Sequence, residues 1–424
     1  MITTARRRGL VALTSLAVAA LTLSACTGTD SGTGGGDEQN SAAEGGELVF
    51  SNWQWLEPGR GEALWDAVSG YTQENPQAEL VKSETAYGQY ADKLNTELGA
   101  GEGPDVFIVL DSQFATLAEA GLVEPLDDVL EDADLNASNE ELVVDGAQLG
   151  VTWEQVPYAL LGNKNLLEQA GIAEMPTTID ELIAAGQAIE SSTGADGFAV
   201  RHQMSEFDGW MLDFQSWAFG YGGGWSDGTN LTIDSPQNVE AVEQFKRVFD
   251  SGIMPVGDDA STFRTKFKEN QLGLMIDNAG AALSFTSGGQ ITGEDIIAAP
   301  LPFPEPGAHQ KLVVAVNANS SNKELAKDFV RWLVSEEGQT AIRPALGAST
   351  LATDVPLTDD FTTANPWAQT YVDLGANTQG TLIPGHETDT KAIMQFVMQA
   401  VERVTAQDED PRTSLEQAQS EAGR

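Results

Sequence analysis

The sequence predicts an α/β protein built on a parallel, doubly wound sheet, in a chain long enough for two such units. Three observations predict it. Short apolar runs alternate with stretches whose apolar residues recur at helical spacing, the βαβ rhythm of parallel sheets. One run, VFIVL at 106–110, is apolar at every position, as a strand covered on both faces requires. The chain has 424 residues, more than the roughly 250–300 at which a single core stops growing.

The elements follow in order. ELVFSN at 47–52 reads as the first strand. Over 61–74, Leu64, Trp65, Val68 and Tyr71 share one helical face. Pro76 stops that helix, because it lacks an N–H and pushes the residue before it out of the helical region. A strand is expected at 78–83 and a helix at 87–98; GAGEGP at 99–104 then breaks the chain before the strand at 106–110, and a helix follows at 112–120. A second alternating region begins near Tyr158, with helices at 165–170, 178–191, 208–219 and 236–251 and strands at 197–201, 272–276, 296–299 and 311–316. Hydroxyls at Thr177, Thr178 and Ser235, with Pro236 just inside, mark two of the helix starts. A helix over 322–335 carries Leu325, Phe329, Trp332 and Leu333 as one stripe, and another spans 392–404. Ligands of doubly wound sheets sit beyond the carboxyl ends of the strands. That rule singles out Trp53, Trp55 and Glu57 after the first strand, and Asp111 and Ser112 after the third.

The beginning of the chain reads as an address. Arg6, Arg7 and Arg8 precede an apolar stretch over 9–23, and LSAC ends it at Cys26, the single cysteine. A basic start, an apolar stretch of roughly 7–15 residues and small residues at the cut make an export signal, too short and wrongly flanked for a membrane span. LSAC resembles the bacterial lipobox, which implies a signal peptide over 1–25 and a lipid on Cys26. The following 26–46 has no large apolar side chain, so it is expected to be a flexible spacer with an r.m.s. reach of roughly 25 Å.

Charge and composition exclude other classes. Against 64 Asp and Glu stand 22 Lys and Arg, a formal net charge of −42; such a surface repels nucleic-acid phosphates and anionic lipid headgroups. The hydrophobic content of 41%, with 9 Trp and 16 Phe, fills cores and excludes a disordered acidic polymer. One cysteine permits no internal disulfide and no cysteine zinc site, and with three histidines no metal or other cofactor is expected. The sequence has no His-Glu-x-x-His and no phosphate-binding Gly-x-x-x-x-Gly-Lys loop. Asp132 opens something like a calcium loop, but Ala137 replaces its glycine and Val143 its bidentate glutamate.

Four blocks in order carry a resemblance. FSNW at 50–53 is followed by YTQENP at 71–76; GAGEGPDVF at 99–107 by AEAGLVEPL at 118–126; VPY at 156–158 by NKNLLEQAG at 163–171; and NKELAKDF at 322–329 by SEEGQ at 335–339. Together they resemble the carbohydrate-binding, maltose-binding-protein-like solute-binding proteins of bacterial ABC importers, from about Glu47 to the C-terminus. Gly162 departs from the family, which has Tyr before its Asn-Lys pair. The resemblance implies two α/β lobes joined by a multi-crossing hinge, lobe one over 47–154 and 313–349 and lobe two over 155–312 and 350–424. It also implies a monomer that binds a small carbohydrate between the lobes and delivers it to ABC permease subunits at the extracellular face of the cell membrane, with no bond made or broken.

Sugars present C–H patches on their faces and hydroxyls around their edges, so a site needs flat aromatic rings and planar hydrogen-bonding groups. Trp53 and Trp55 follow a strand end in a polar stretch, and alternation places them on the same side of the chain. Trp153 lies at the expected first crossing, Trp210 opens a helix, Trp225 sits in a glycine-rich turn and Trp367 follows Asn365-Pro366. Trp65, Trp217 and Trp332 fall on apolar helical stripes and read as core. The polar candidates are Glu57, Arg60, Asp111, Glu154, Asn278 and His386. Two alternatives stay open: the same fold holding a cationic solute such as a polyamine, which carboxylates and aromatic cages also suit, and an anchored glycoside hydrolase with paired carboxylates.

Overall fold

A computed structural model describes residues 45–286 and 288–423. The expected signal peptide, Cys26 and nearly all of the spacer lie outside the described residues.

Eleven strands are present among the described residues: β1 (Glu47–Ser51), β2 (Glu79–Ser83), β3 (Val106–Leu110), β4 (Val143–Val144), β5 (Ala147–Gln148), β6 (Val151–Asn163), β7 (Asp196–Ala199), β8 (Leu272–Asn278), β9 (Ile296–Ala299), β10 (Ala308–Val316) and β11 (Gln379–Gly380). β4 and β5 form a small hairpin; the others join in the order β2-β1-β3-β10-β6-β8-β7, with β11 beside β10 and β9 beside β6. The outer strands are parallel, β1 with β2 and β3, and β7 with β8. The centre corrects the all-parallel expectation: β10 runs antiparallel to β3 and β6, and β6 antiparallel to β8 and β9.

β6 explains why. Its 13 residues are buried throughout. Val151–Pro157 pair with β10, and Tyr158–Asn163 with β8 and β9, so one strand is shared by both halves of the protein. At its middle, Gln155 sits opposite Lys311 of β10 on one side. On the other it exchanges backbone hydrogen bonds of 2.8 and 2.9 Å with Thr350. Three chain passages therefore lie side by side at Gln155.

The apolar interior divides at the same place. One cluster gathers Leu48, Phe50, Val106–Val109 and Trp153 with Val313–Val316, Phe329 and Leu346. Two others take their members from Val156 onward, one around Phe198, Trp210, Phe245 and Met394, the other around Phe263, Phe285, Trp367 and Tyr371. These cores belong to two α/β lobes.

Local sequence accounts for the helices that carry the site. Thr178 and Ser235 cap their helices, their hydroxyls accepting from the backbone of Glu181 at 3.2 Å and Asn238 at 3.3 Å. The helix expected over 61–74 breaks into Gly61–Val68 and Tyr71–Glu74; the Ser69 hydroxyl donates back to the Trp65 carbonyl at 2.7 Å, which competes with the helical ladder there. Gly162 is the residue β6 needs, because a Cβ would come within 2.7 Å of Leu167 Cδ1 and Met175 Sδ. Leu167 and Met175 fill the space beside it.

Candidate functional site

A cavity of about 490 Å³ opens between the lobes. The first lobe supplies the loop after β1. There Asn52 caps a short 3₁₀ turn, Trp53–Leu56, by accepting from the Gln54 backbone at 2.9 Å. A 3₁₀ turn has three residues per revolution, so residues two apart diverge by about 120°. Trp53 accordingly faces Tyr87 and Tyr90, its ring edge-on at 5.5 and 5.1 Å. Trp55 turns into the core against Phe50 and Trp65 at 5.2 and 5.4 Å. The alternation expected of an extended chain fails because the backbone coils here.

Behind Trp53 lies a buried polar network. Gln54 donates from Nε2 to Glu154 Oε1 at 2.5 Å, and its Oε1 accepts from Trp153 Nε1 at 2.7 Å. Arg60 donates from Nε to Glu57 Oε2 at 2.5 Å and from Nη2 to Glu154 Oε1 at 3.3 Å. Ser349, next to the Thr350 that pairs with Gln155, donates to Glu154 Oε2 at 2.9 Å. Burial disfavours the Arg60 charge, but Glu154 and Glu57 outweigh it and raise the guanidinium's pKa further. Arg60 Nη1 is a buried donor with no partner among the described residues, an opening for an acceptor on a guest.

The second lobe answers with two more arginine–carboxylate pairs. Arg201 Nη1 donates to both Asp213 oxygens at 3.0 and 2.8 Å. Asp213 is 1% exposed; burial raises its pKa against the pull of Arg201. Tyr158 also bonds Asp213, and burial raises its phenol well above the ordinary value. Arg264 grips Asp277 as a fork, Nε to Oδ2 at 2.7 Å and Nη2 to Oδ1 at 2.8 Å. Asn278 follows, its side chain capping the helix Ala279–Phe285 through a 3.0 Å bond from Ala281 N.

Of the residues singled out in the sequence, Trp53, Glu57, Arg60, Glu154 and Asn278 line this cavity together. Trp153 does not line it but orients Gln54. Trp210 and Trp225 are core, beside Phe245 and Phe214 respectively, each pair at 6.4 Å. Trp367 is core as well, between Phe361 and Tyr371. These three indoles are at most 2% exposed, with no face left for a guest.

Asp111 also lies elsewhere. It accepts from Ser112 N at 2.7 Å and from the Thr381 hydroxyl at 3.2 Å, and burial lifts its pKa to about 6. His386 borders a separate hollow near Thr229 and Phe396. The sequence reading missed Gln54, Tyr87, Tyr158, Arg201, Asp213 and Arg264. Arg201 was within reach of the strand-end rule that picked Asp111, since it lies two residues past the end of β7.

The pattern that defines the bacterial extracellular solute-binding proteins matches residues 55–340, and the chain belongs to that family. That family is one of solute-binding proteins, not of enzymes. A putative binding protein of Brucella abortus is 26% identical over 56% of this chain and 59% of its own length, so this chain spans less than two thirds of that relative. The diacetylchitobiose-binding protein DasA of Streptomyces coelicolor is 24% identical over 80% of this chain and 81% of its own. Among solved structures, the GacH receptor of Streptomyces glaucescens, determined unliganded and with acarbose, superposes with a TM-score of 0.79 at 19% identity, covering 89% of this chain and 97% of that one. That likeness establishes the two-lobed fold.

Proposed function

We propose that this protein captures a mono- or oligosaccharide between its lobes and presents it, chemically unchanged, to an ABC permease, while a lipid on Cys26 holds it, as a monomer, at the extracellular face of the membrane. The observation that carries the reading is the inter-lobe cavity itself. On one side Trp53 and Tyr87 offer rings to C–H patches; around it, buried Arg–carboxylate pairs present fixed hydrogen-bonding edges to hydroxyls. The saccharide-binding relatives support it. We further propose lobe boundaries at the three passages beside Gln155, so that lobe one comprises 47–154 and 313–349 and lobe two 155–312 and 350–424. A guest touching both lobes favours the closed arrangement of such a hinge.

The cationic-solute alternative is weaker here, since each lining carboxylate already has an arginine: Glu57 and Glu154 share Arg60, and Asp213 holds Arg201. Thermal-shift screening of purified protein against saccharides and spermidine tests both. Stabilisation growing as RT ln(1 + [L]/Kd) is expected for a saccharide; stabilisation by the amine alone would refute the reading. Cys26→Ala is expected to move the protein from the membrane fraction to the medium.

A further inference from the structure

One group of ionisable side chains, most of them buried, lies outside the cavity. Gln310 and Leu312 of β10 line the cavity, so their neighbours His309 and Lys311 turn to the opposite face of the strand. Lys311, 2% exposed, donates to Glu141 Oε2 at 2.5 Å and to the Ser138 carbonyl at 2.8 Å. Leu312 pairs with Leu110 in antiparallel register, which brings Asp111 beside Lys311. Asp111 is buried and accepts from the Thr381 hydroxyl. His309 is buried too; its Nδ1 meets Thr378 Oγ1 at 3.1 Å, and its Nε2 has no partner among the described residues. Gly380 lies between His309 and Glu141: a Cβ there would stand 3.4 and 3.5 Å from the Glu141 oxygens and 3.7 Å from His309 Nε2. Glu387 and Asp389, on the turn packed against the helix Asp111–Glu119, are exposed.

The charges of this group do not balance. One ammonium, Lys311, faces two carboxyls, Glu141 and Asp111, while burial holds His309 neutral, its pKa lowered to about 4. With Asp111 protonated the charges cancel. With Asp111 ionised, a carboxylate is buried without a cation of its own, and burial accordingly lifts its pKa to about 6. On the lobe boundaries proposed above, Asp111 and Glu141 belong to lobe one, and Thr378, Gly380 and Thr381 to lobe two. The cluster then joins the lobes on the face opposite the cavity. Lobes turning about the passages at Gln155 part on that face as the cavity shuts. Parting admits water, from which an ionised Asp111 gains and a neutral one does not.

We propose that this rear cluster is a proton-operated control on guest binding: protonated Asp111 holds the lobes together at the rear and favours the open cavity, and ionised Asp111 favours the closed one. The proposal rests on the saccharide reading and its lobe boundaries and adds regulation to them. Isothermal titration calorimetry with neutral probes (maltotriose, cellotriose and galactobiose) from pH 5 to 7.5 tests it. A fall of about one unit in the Asp111 pKa on closure makes binding about fivefold tighter at pH 7.5 than at pH 5. At pH 5.5, two buffers of unlike ionisation heat are expected to reveal release of about half a proton per guest bound. Asp111 does not line the cavity, and Asp111→Asn is expected to flatten the pH profile near the affinity of the unaltered protein at pH 5. Glu141, whose side chain is 55% exposed, raises the Asp111 pKa by its charge; Glu141→Gln is therefore expected to move the midpoint of the profile to lower pH. Melting curves check that both variants fold. A flat profile in the unaltered protein, or a profile that persists in Asp111→Asn, overturns the proposal and leaves the saccharide reading standing. A midpoint unmoved by Glu141→Gln overturns it as well, even where Asp111→Asn fails to fold. Binding of no saccharide at any pH removes both readings.

Discussion

Glu154 lines the cavity and ties the loop after β1 to Ser349, and its removal is the most informative perturbation of the fold. The carboxylate is 1% exposed and accepts from Gln54, Arg60 and Ser349. Glu154→Ala leaves Arg60 with Glu57 alone, a partner whose side chain is 37% exposed, and strips the acceptor from Gln54 Nε2 and Ser349 Oγ. Breaking a buried ion pair by deleting one member costs about 3–5 kcal/mol. Glu57 compensates Arg60 in part, and the cavity admits water to the orphaned donors, so the lower end, about 3 kcal/mol, is expected. Glu154→Gln keeps an acceptor and fills the space, and is expected to cost about half as much. Urea unfolding, followed by tryptophan fluorescence and circular dichroism, reads both. A double-mutant cycle with Arg60→Met isolates the pair and is expected to give a coupling of about 1–3 kcal/mol. Loss of less than about 1 kcal/mol in Glu154→Ala, the scale of a solvated surface pair, would refute the idea of a buried hub.

Further expectations follow from other sites. Tyr87→Ala removes a ring that is 45% exposed; it is expected to leave the melting temperature nearly unchanged and to weaken saccharide binding about 3–10-fold by calorimetry. At Gly209 a Cβ would lie 2.6 Å from Arg201 Nε, so Gly209→Ala is expected to displace that guanidinium from Asp213 and weaken binding more than it destabilises the fold. Arg343 donates to the carbonyls of Gly347, Ser349 and Val355, and burial lowers its pKa to about 10. Arg343→Met is expected to cost about 2–4 kcal/mol and to speed amide exchange over 347–355. Asp111 has a folded pKa of about 6, above the roughly 3.9 of an unfolded carboxyl. Its contribution to stability is therefore complete below about pH 4 and lost as pH rises through 6. Asp111→Asn is expected to gain stability relative to the unaltered protein at pH 7.5 compared with pH 4; an unchanged difference in urea melts would refute this.

Much of the fold was legible because burial writes it into the chain. VFIVL at 106–110 could only be a covered strand, and the stripe of Leu325, Phe329 and Trp332 could only be a helix face. β6 was missed because its middle, Trp153-Glu154-Gln155, reads as a polar break; its polar side chains are held by partners distant in sequence, such as Gln54 and Ser349. The site was half legible for the same reason. Glu57 and Arg60 sit in one loop and were found together. Arg264 lies on a helix that the sequence did not announce, and its partner Asp277 is 13 residues away. Indoles misled most. Tryptophan serves core and cleft equally well, and only packing separates Trp53, which lines the cavity, from Trp210, Trp225 and Trp367, whose Nε1 atoms are buried without partners among the described residues.

The most direct test of saccharide capture is calorimetric titration of the purified protein across neutral and acidic mono- and oligosaccharides, with the recovered ligand checked by mass spectrometry. One-to-one binding of a saccharide returned intact, weakened by Tyr87→Ala and Arg60→Met, is the predicted result. Binding indifferent to both substitutions, or a ligand returned cleaved, would contradict it.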